Sequence, residues 1–158
     1  MIKAILACDQ AWGIGKDGDL PWPKNLDDLA WFKESTTGDV VVMGRKTWES
    51  LPRKPLPGRT NAIVTTQPIE NALGNIVVDI DGLLKILPQM TTNTQNVWII
   101  GGARLIDGLW DIIDEIHLSR IEGTYNCDTF LPENKILNDF KLSEVHDSTL
   151  YIETWTKK

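Results

Sequence analysis

Val40-Val41-Val42-Met43-Gly44-Arg45-Lys46-Thr47-Trp48-Glu49-Ser50-Leu51 is the stretch that decides the fold. Its first four residues are apolar without alternation, so both faces of the strand must be covered, as in the centre of a parallel sheet. Gly44 breaks the run, and a helix follows until Pro52 stops it. Glycine lets the backbone approach a ligand, the helix start offers free N–H groups, and Arg45 and Lys46 add charge, which together make a phosphate site. The plainer alternative is a solvated basic helix start, although cations are disfavoured at a positive helix end unless an anion is there. A P-loop is excluded: no glycine stands five residues before a Gly-Lys-Thr sequence, and Arg45 separates Gly44 from Lys46.

Working outward, Val97-Trp98-Ile99-Ile100-Gly101-Gly102-Ala103-Arg104-Leu105-Ile106 repeats this order of strand, glycine and helix. Two such helix starts on one sheet edge could hold two phosphates of one dinucleotide; a tight turn without a ligand is the alternative. A strand of about 60 to 66 ends in Thr65-Thr66, where α/β proteins bind ligands. Residues 2 to 8 form a short apolar strand ending at Asp9, and a glycine-rich loop runs from about 9 to 24. Within it, Gly13-Ile14-Gly15-Lys16-Asp17-Gly18 imitates a dinucleotide-binding fingerprint, but Pro21 and Pro23 continue the loop where that motif needs a helix. A mobile loop that closes over substrates is the better reading. Residues 75 to 79 form a strand, 81 to 88 a helix closed by Pro88, and 89 to 96 a polar loop. Glu115 to Ile121, Phe140 to His146 and Tyr151 to Thr156 alternate with period two, which predicts antiparallel additions at the sheet edge. The expected fold is therefore α/β: one domain over residues 1–158, a mostly parallel mixed sheet of about eight strands with antiparallel C-terminal strands, and about four flanking helices.

A second stretch, Leu20-Pro21-Trp22-Pro23-Lys24-Asn25-Leu26-Asp27-Asp28-Leu29-Ala30-Trp31-Phe32-Lys33, carries the chemistry. Two prolines keep it non-helical up to Pro23, and Asn25 is a good N-cap for a helix of roughly 26 to 36. Leu29, Trp31 and Phe32 share an apolar face; Asp28 falls roughly 35° from its centre and Asp27 about 135° away. An acid on such a face loses hydration and its pKa rises, a condition concentrated at functional sites. Capping of a neighbouring loop is the bland alternative. Downstream, Pro55-Leu56-Pro57-Gly58-Arg59 is a stiff turn that fixes Arg59, and a fixed Arg suits bidentate capture of a carboxylate or phosphate.

Composition narrows the class. At 158 residues, 42% hydrophobic and 24% charged, the chain can bury a real core. A net charge of −6 argues against nucleic acid or an anionic membrane as main partner, so an anion must meet locally placed cations. No apolar run reaches a membrane span or a signal-peptide core. Two cysteines, Cys8 and Cys127, make neither a disulfide framework nor a metal cluster, which fits the cytoplasm. His117 and His146 stand singly in strands and are read as structural. Seven tryptophans would suit a site for flat rings, though core packing explains large aromatics equally well.

Taken in order, Gly15 with Leu20-Pro21-Trp22, Asp28 to Lys33, Val42 to Ser50, Leu56-Pro57-Gly58-Arg59 and Ile99-Ile100-Gly101-Gly102 closely resemble bacterial-type dihydrofolate reductases over essentially the whole chain. The resemblance implies reduction of 7,8-dihydrofolate to tetrahydrofolate by hydride transfer from NADPH to carbon 6 of the pterin, with water-mediated protonation at nitrogen 5. It implies that Asp28 binds the pterin 2-amino group and N3, that Trp22 helps place the water, and that Ser119 buttresses Asp28. Leu29, Phe32 and Leu56 would grip the rings, with Ala7, Leu20 and Leu51 beside them. Backbone carbonyls of Ile5 and Ile100 would meet the 4-amino group of antifolate inhibitors, and Arg59 would pair with the glutamate carboxylate.

On the cofactor side the resemblance places Ala7 and Ile14 near the nicotinamide, with Gly15 and Ile100 also in the cofactor site. Gly101, Gly102 and Ala103 with Thr47 would hold the pyrophosphate, and Gly44, Arg104 and Leu105 would also belong to the cofactor site. Arg45, Lys46 and Thr66 would receive the 2′-phosphate, a cluster that selects NADPH over NADH, and Thr65 would belong to the same cofactor site. It also implies a cis Gly101–Gly102 peptide. No feature of the sequence requires a partner, so a monomer is expected, and no metal site is expected. Three features depart from the commonest pattern. Ser119 replaces the usual Thr, Ile106 stands where many members carry an aromatic residue, and extra residues near Lys24 and Lys54 lengthen two loops. The rival readings are a related pteridine or pyrimidine reductase, which would change the ring pocket, and a non-catalytic nucleotide-binding module, which would have lost Asp28 or Trp22. A phosphotransferase would need a Mg²⁺ site that the sequence does not offer.

Overall fold

The computed structural model describes residues 1–70, 74–91 and 95–158. Strand β1 (Ile2–Cys8) leads into β2 (Gly13–Gly15), helix α1 (Leu26–Thr36), β3 (Val40–Gly44), α2 (Arg45–Ser50), β4 (Thr60–Val64) and β5 (Ile76–Val78). Then come α3 (Ile80–Met90), β6 (Val97–Gly101), α4 (Ala103–Gly108), a 3₁₀ turn (Trp110–Ile112), β7 (Glu115–Arg120), β8 (Thr129–Phe130), α5 (Glu133–Asp139), β9 (Phe140–Asp147) and β10 (Tyr151–Lys157). Eight strands form one sheet in the order β5-β4-β3-β6-β1-β7-β10-β9. Neighbours from β5 through β7 run parallel, and β10 is antiparallel to both β7 and β9.

The central position predicted for β3 is met: it lies between β4 and β6, and Val40 to Met43 are all buried. Strand alternation divides the apolar residues between two cores. Val40, Val42, Ile99, Ile116 and Leu118 pack on one face with Leu105, Ile106 and Phe140. Val41, Met43, Ile5, Ile63, Trp48 and Trp98 pack on the other, where Trp31, Phe32, Leu51, Leu56 and Ile100 cover them only partly. This second, incompletely covered core is the floor of the cleft described below.

Several expectations need correction. β7 is not an antiparallel addition but a parallel neighbour of β1, pairing Lys3 with Glu115 through Cys8 with Arg120. A period-two pattern reports faces, not direction, and only β9 and β10 reverse. Pro88 does not close its helix: α3 continues to Met90, and Thr91 N–H still donates to Leu87 O at 3.1 Å. A proline deletes one N–H and crowds the preceding turn, yet so near the helix end the remaining bonds hold the last residues in place. Of the polar loop expected over 89–96, residues 89 and 90 are therefore helical, and 92–94 lie outside the described residues.

Among the described residues there are five α-helices rather than about four, because α5 follows Pro132 in a stretch too short to show a clear period. Strands β4 and β5 are shorter than expected, ending at Val64 and Val78. The loop of 9 to 24 is not all loop: β2 pairs with β8 in a second, two-stranded sheet, and Lys16 bridges Asp19 in a tight turn.

Candidate active site

Helix α1 begins where its sequence says it must. Asn25 is extended (φ −112°, ψ 106°), and its side chain accepts from Asp28 N–H at 3.0 Å. This cap sets the rotation of the helix and hence the direction of its two acids. Asp27 faces outward, onto a groove of about 460 Å³ shared with Glu34, His117, Glu144 and His146. Asp28 is half-buried on the other side, and burial pushes its carboxyl above the ordinary aspartate range, with Ser119 partly opposing the shift.

Ser119 sits in β7 opposite Ala7 of β1 and is fully buried. Its Oγ makes no hydrogen bond of normal length and angle. A buried hydroxyl without a partner beside a poorly hydrated carboxyl leaves a donor available to that carboxyl. Leu29, by contrast, is 43% exposed, and Leu20 57%, so neither belongs to the core as a plain amphipathic helix would require.

The structure brings together most of the residues expected on the ring side. Ile5 lies within the second core, and Phe32, Leu51, Leu56 and Ile100 pack against it. Trp22 is buried beneath the loop, its ring edge-on to Tyr125 with centroids 5.9 Å apart. Arg59 guards the far end. Its Nε donates to Pro57 O at 3.0 Å, its Nη1 to Thr36 Oγ1 at 3.1 Å, and its guanidinium lies 5.7 Å from the centre of the Phe32 ring.

A second group of residues collects at the carboxyl ends of β3 and β6, which are adjacent strands. Met43 pairs with Gly101, and a side chain on Gly44 would come within 3.8 Å of Gly101 O and Gly102 N, so the two glycine turns abut. The Gly101–Gly102 peptide is cis, with Gly101 at φ 129°. Above Gly102 the space is open, since a Cβ there would meet nothing within 4 Å. Gly44 also pairs with Val64, so Thr65 and Thr66 leave the sheet beside the start of α2. Arg45 is held by Glu49 at 2.9 Å, whereas Lys46 is exposed and makes no ion pair among the described residues. Arg104 is exposed, but the side chains of Leu105 and Ile106 turn into the core.

Ile14 and Gly15 are half-buried in β2, at the near end of the same cleft. His117 bonds Glu115 at 2.8 Å, the structural role expected, and His146 is exposed. No group of His, Cys, Asp or Glu suited to a metal is present among the described residues. Two residues escaped the sequence. Thr36, which holds Arg59, looks like an ordinary helix-end residue. Asp9, with 1% exposure, has only its place between an apolar strand and a glycine loop to mark it.

Comparison with known proteins agrees with this geometry. A family model for dihydrofolate reductase matches residues 1–150. The chain is 39% identical over 133 residues to dihydrofolate reductase of Bacillus subtilis (strain 168), covering 84% of this chain and 76% of that one. It is 38% identical over 164 aligned residues to dihydrofolate reductase type 8 of Escherichia coli, covering 99% and 96%. A solved structure of dihydrofolate reductase from Enterococcus faecalis complexed with NADP(H) and RAB-propyl matches with a TM-score of 0.86 at 28% identity, over 100% of this chain and 96% of that one.

Proposed function

This chain belongs to the dihydrofolate reductase family, and we infer from that membership and from its cleft that it reduces 7,8-dihydrofolate to 5,6,7,8-tetrahydrofolate with NADPH. The observation that carries the reading is Asp28: a carboxyl with raised pKa, on the edge of an apolar floor, beside a buried and unpartnered Ser119 hydroxyl.

The residues fit the cofactor. Two abutting glycine turns leave space above Gly102 where side chains would intrude, and Thr47, Ala103 and Arg104 border it. Arg45, Lys46, Thr65 and Thr66 supply cation and hydroxyl donors for a 2′-phosphate, which NADH lacks. NADPH brings the hydride when bound; the protein must orient two rings and manage one proton.

Asp28 accepts from the pterin 2-amino group and N3, with Ser119 Oγ donating to its carboxylate. That contact draws charge through the ring and favours protonation of nitrogen 5. Trp22 positions the water that delivers the proton. Ile5, Ala7, Phe32, Leu51, Leu56 and Ile100 exclude other water, and Leu20 and Leu29 close over the ring from the exposed side. Arg59 receives the glutamate carboxylate. Hydride transfer then needs no metal and no covalent bond to the chain.

The same reading makes the chain a cytoplasmic monomer of one domain, without nucleic-acid or membrane partners. No helix among the described residues is long and apolar enough to cross a membrane. The deciding assay follows NADPH absorbance with dihydrofolate, beside an NADH control and an Asp28→Asn sample. Oxidation that depends on dihydrofolate, prefers NADPH and is largely lost in the variant is the expected result. NADPH binding without oxidation would overturn the substrate assignment and leave the dinucleotide site.

A further inference from the structure

Asp9 is the first residue beyond β1 and has no part in the chemistry above, yet its carboxylate is among the best-satisfied in the molecule. Its two oxygens serve two separate segments. Oδ1 accepts from Ala11 N–H at 2.9 Å and Gly13 N–H at 2.8 Å, within the start of the 9–24 loop. Oδ2 accepts from Tyr125 N–H at 3.0 Å and from Cys127 Sγ at 3.4 Å, in the facing loop after β7. Around it, Asp9 N–H donates to Gly13 O at 2.9 Å and Gln10 N–H to Gly123 O at 3.0 Å.

A local turn would need only the first oxygen. Burying a carboxylate is costly unless its lone pairs are met, and here half of the compensation comes from a segment more than a hundred positions away. The residue whose amide is fixed, Tyr125, presents its ring edge-on to Trp22 at 5.9 Å. Trp22 is 7% exposed, and Tyr125 is the aromatic neighbour it meets across the two loops.

We propose that Asp9 is a positioning residue for Trp22: by tying the 9–24 loop to the 121–128 loop through separate carboxylate oxygens, it fixes the Tyr125 ring against which Trp22 is set. The proposal rests on the reading above, in which Trp22 places the proton-delivering water. Its consequence falls on the chemical step and not on binding, because the hydrogen bonds of the Asp9 carboxylate run to Ala11, Gly13, Tyr125 and Cys127 and, among the described residues, none joins it to Asp28, Arg59 or the glycine turns.

Two variants test it. Asp9→Asn keeps the shape but replaces one acceptor by a donor, so one of the two segments is released. Tyr125→Leu keeps the amide that Oδ2 binds and removes only the ring. Hydride transfer is measured in single turnovers with deuterated and ordinary NADPH across about pH 5 to 9. Both variants are expected to slow that step about tenfold, to shift its pH dependence, and to leave KM for dihydrofolate within about twofold. The double variant is expected to be no slower than the slower single one, since both act through one contact.

An unchanged rate and pH profile in Tyr125→Leu, or effects that multiply in the double variant, would overturn the proposal. If Asp9→Asn fails to fold, Tyr125→Leu decides alone. A readout without turnover separates this proposal from the reaction itself: ¹⁹F NMR of 5-fluorotryptophan protein, with the Trp22 signal assigned by Trp22→Phe. Asp9→Asn is expected to shift or broaden that signal, and a signal left in place overturns the positioning role even if the wild type proves to act on another substrate. Wild-type protein inactive on dihydrofolate would count against the reaction alone, with the NMR result then deciding the role of Asp9.

Discussion

Arg59 Nη1 donates to Thr36 Oγ1 at 3.1 Å, and Thr36 in turn donates from the same hydroxyl to Phe32 O at 2.8 Å. The last turn of α1 therefore aims the guanidinium, which under the proposed function would meet the carboxylate of the substrate. Pro57 O and the Phe32 ring hold it from two further sides, so the cation reaches a ligand with little side-chain freedom left to lose.

From this, Thr36→Val should raise KM for dihydrofolate about 5- to 10-fold, near 1 kcal/mol, with kcat nearly unchanged. A dihydropterin without the glutamate tail should show no such loss. Equal losses on both substrates would mean that Thr36 acts through the fold and not through Arg59.

Asp28 links activity to stability with opposite signs. Its carboxyl holds a proton to higher pH when folded than when unfolded, so the folded state binds more protons between the two values. Stability accordingly falls as pH rises through that window and stays lower above it. Asp28→Asn should melt above the wild type at pH 7, and the gap should close below about pH 4, where the unfolded carboxyl is protonated as well. Turnover at neutral pH should drop by about a hundredfold or more, with partial recovery on protonated substrate at low pH. A melting gap that persists in acid would assign the effect to packing.

Arg45 and Lys46 should separate the two nicotinamide cofactors. Replacing both by Ala should weaken NADPH about 10- to 100-fold in titrations and NADH by less than about threefold. Glu49 holds Arg45 in an exposed ion pair, so Glu49→Gln should tighten NADPH slightly and leave NADH unmoved. Parallel losses for both cofactors would remove these residues from the 2′-phosphate.

Gly13 is needed for closeness, not for an unusual backbone angle. A Cβ there would fall 2.3 Å from Cys127 Sγ and 2.6 Å from its Cβ. Gly13→Ala should cost about 2 kcal/mol and lower Tm by about 4–8 °C. Adding Cys127→Gly clears both clashes and should return part of the loss, which thermal denaturation of the two variants would show.

The parts that were legible from the residues are those where one physical demand dominates. Val40 to Met43 could only be a covered strand, Gly44 and Gly101-Gly102 only sharp turns, and Asn25 with Asp28 set the helix start. What stayed hidden depended on partners far apart in the chain. The direction of β7 is decided by β1, the pairing of β2 by Thr129 and Phe130, and the persistence of α3 beyond Pro88 by bonds no pattern displays. Asp9 shows the limit well: its local turn is written in Asp9-Gln10-Ala11-Trp12-Gly13, while Tyr125 and Cys127 give no sign of converging on it.

The two walls of the cleft are also built to different standards of rigidity. The glycine turns grow from β3 and β6, whose residues are almost wholly buried between neighbouring strands. The opposing wall is α1, with Leu26 69% and Leu29 43% exposed and only Thr36 fully enclosed. Substitutions at the exposed positions of α1, such as Leu26 and Leu29, therefore disturb little of the interior, whereas changes at the turns reach into the centre of the sheet. Under the proposed function, the ring side of the cleft can vary at these exposed positions while the dinucleotide side is held, so drift under selection by ring-shaped inhibitors has its freest path there.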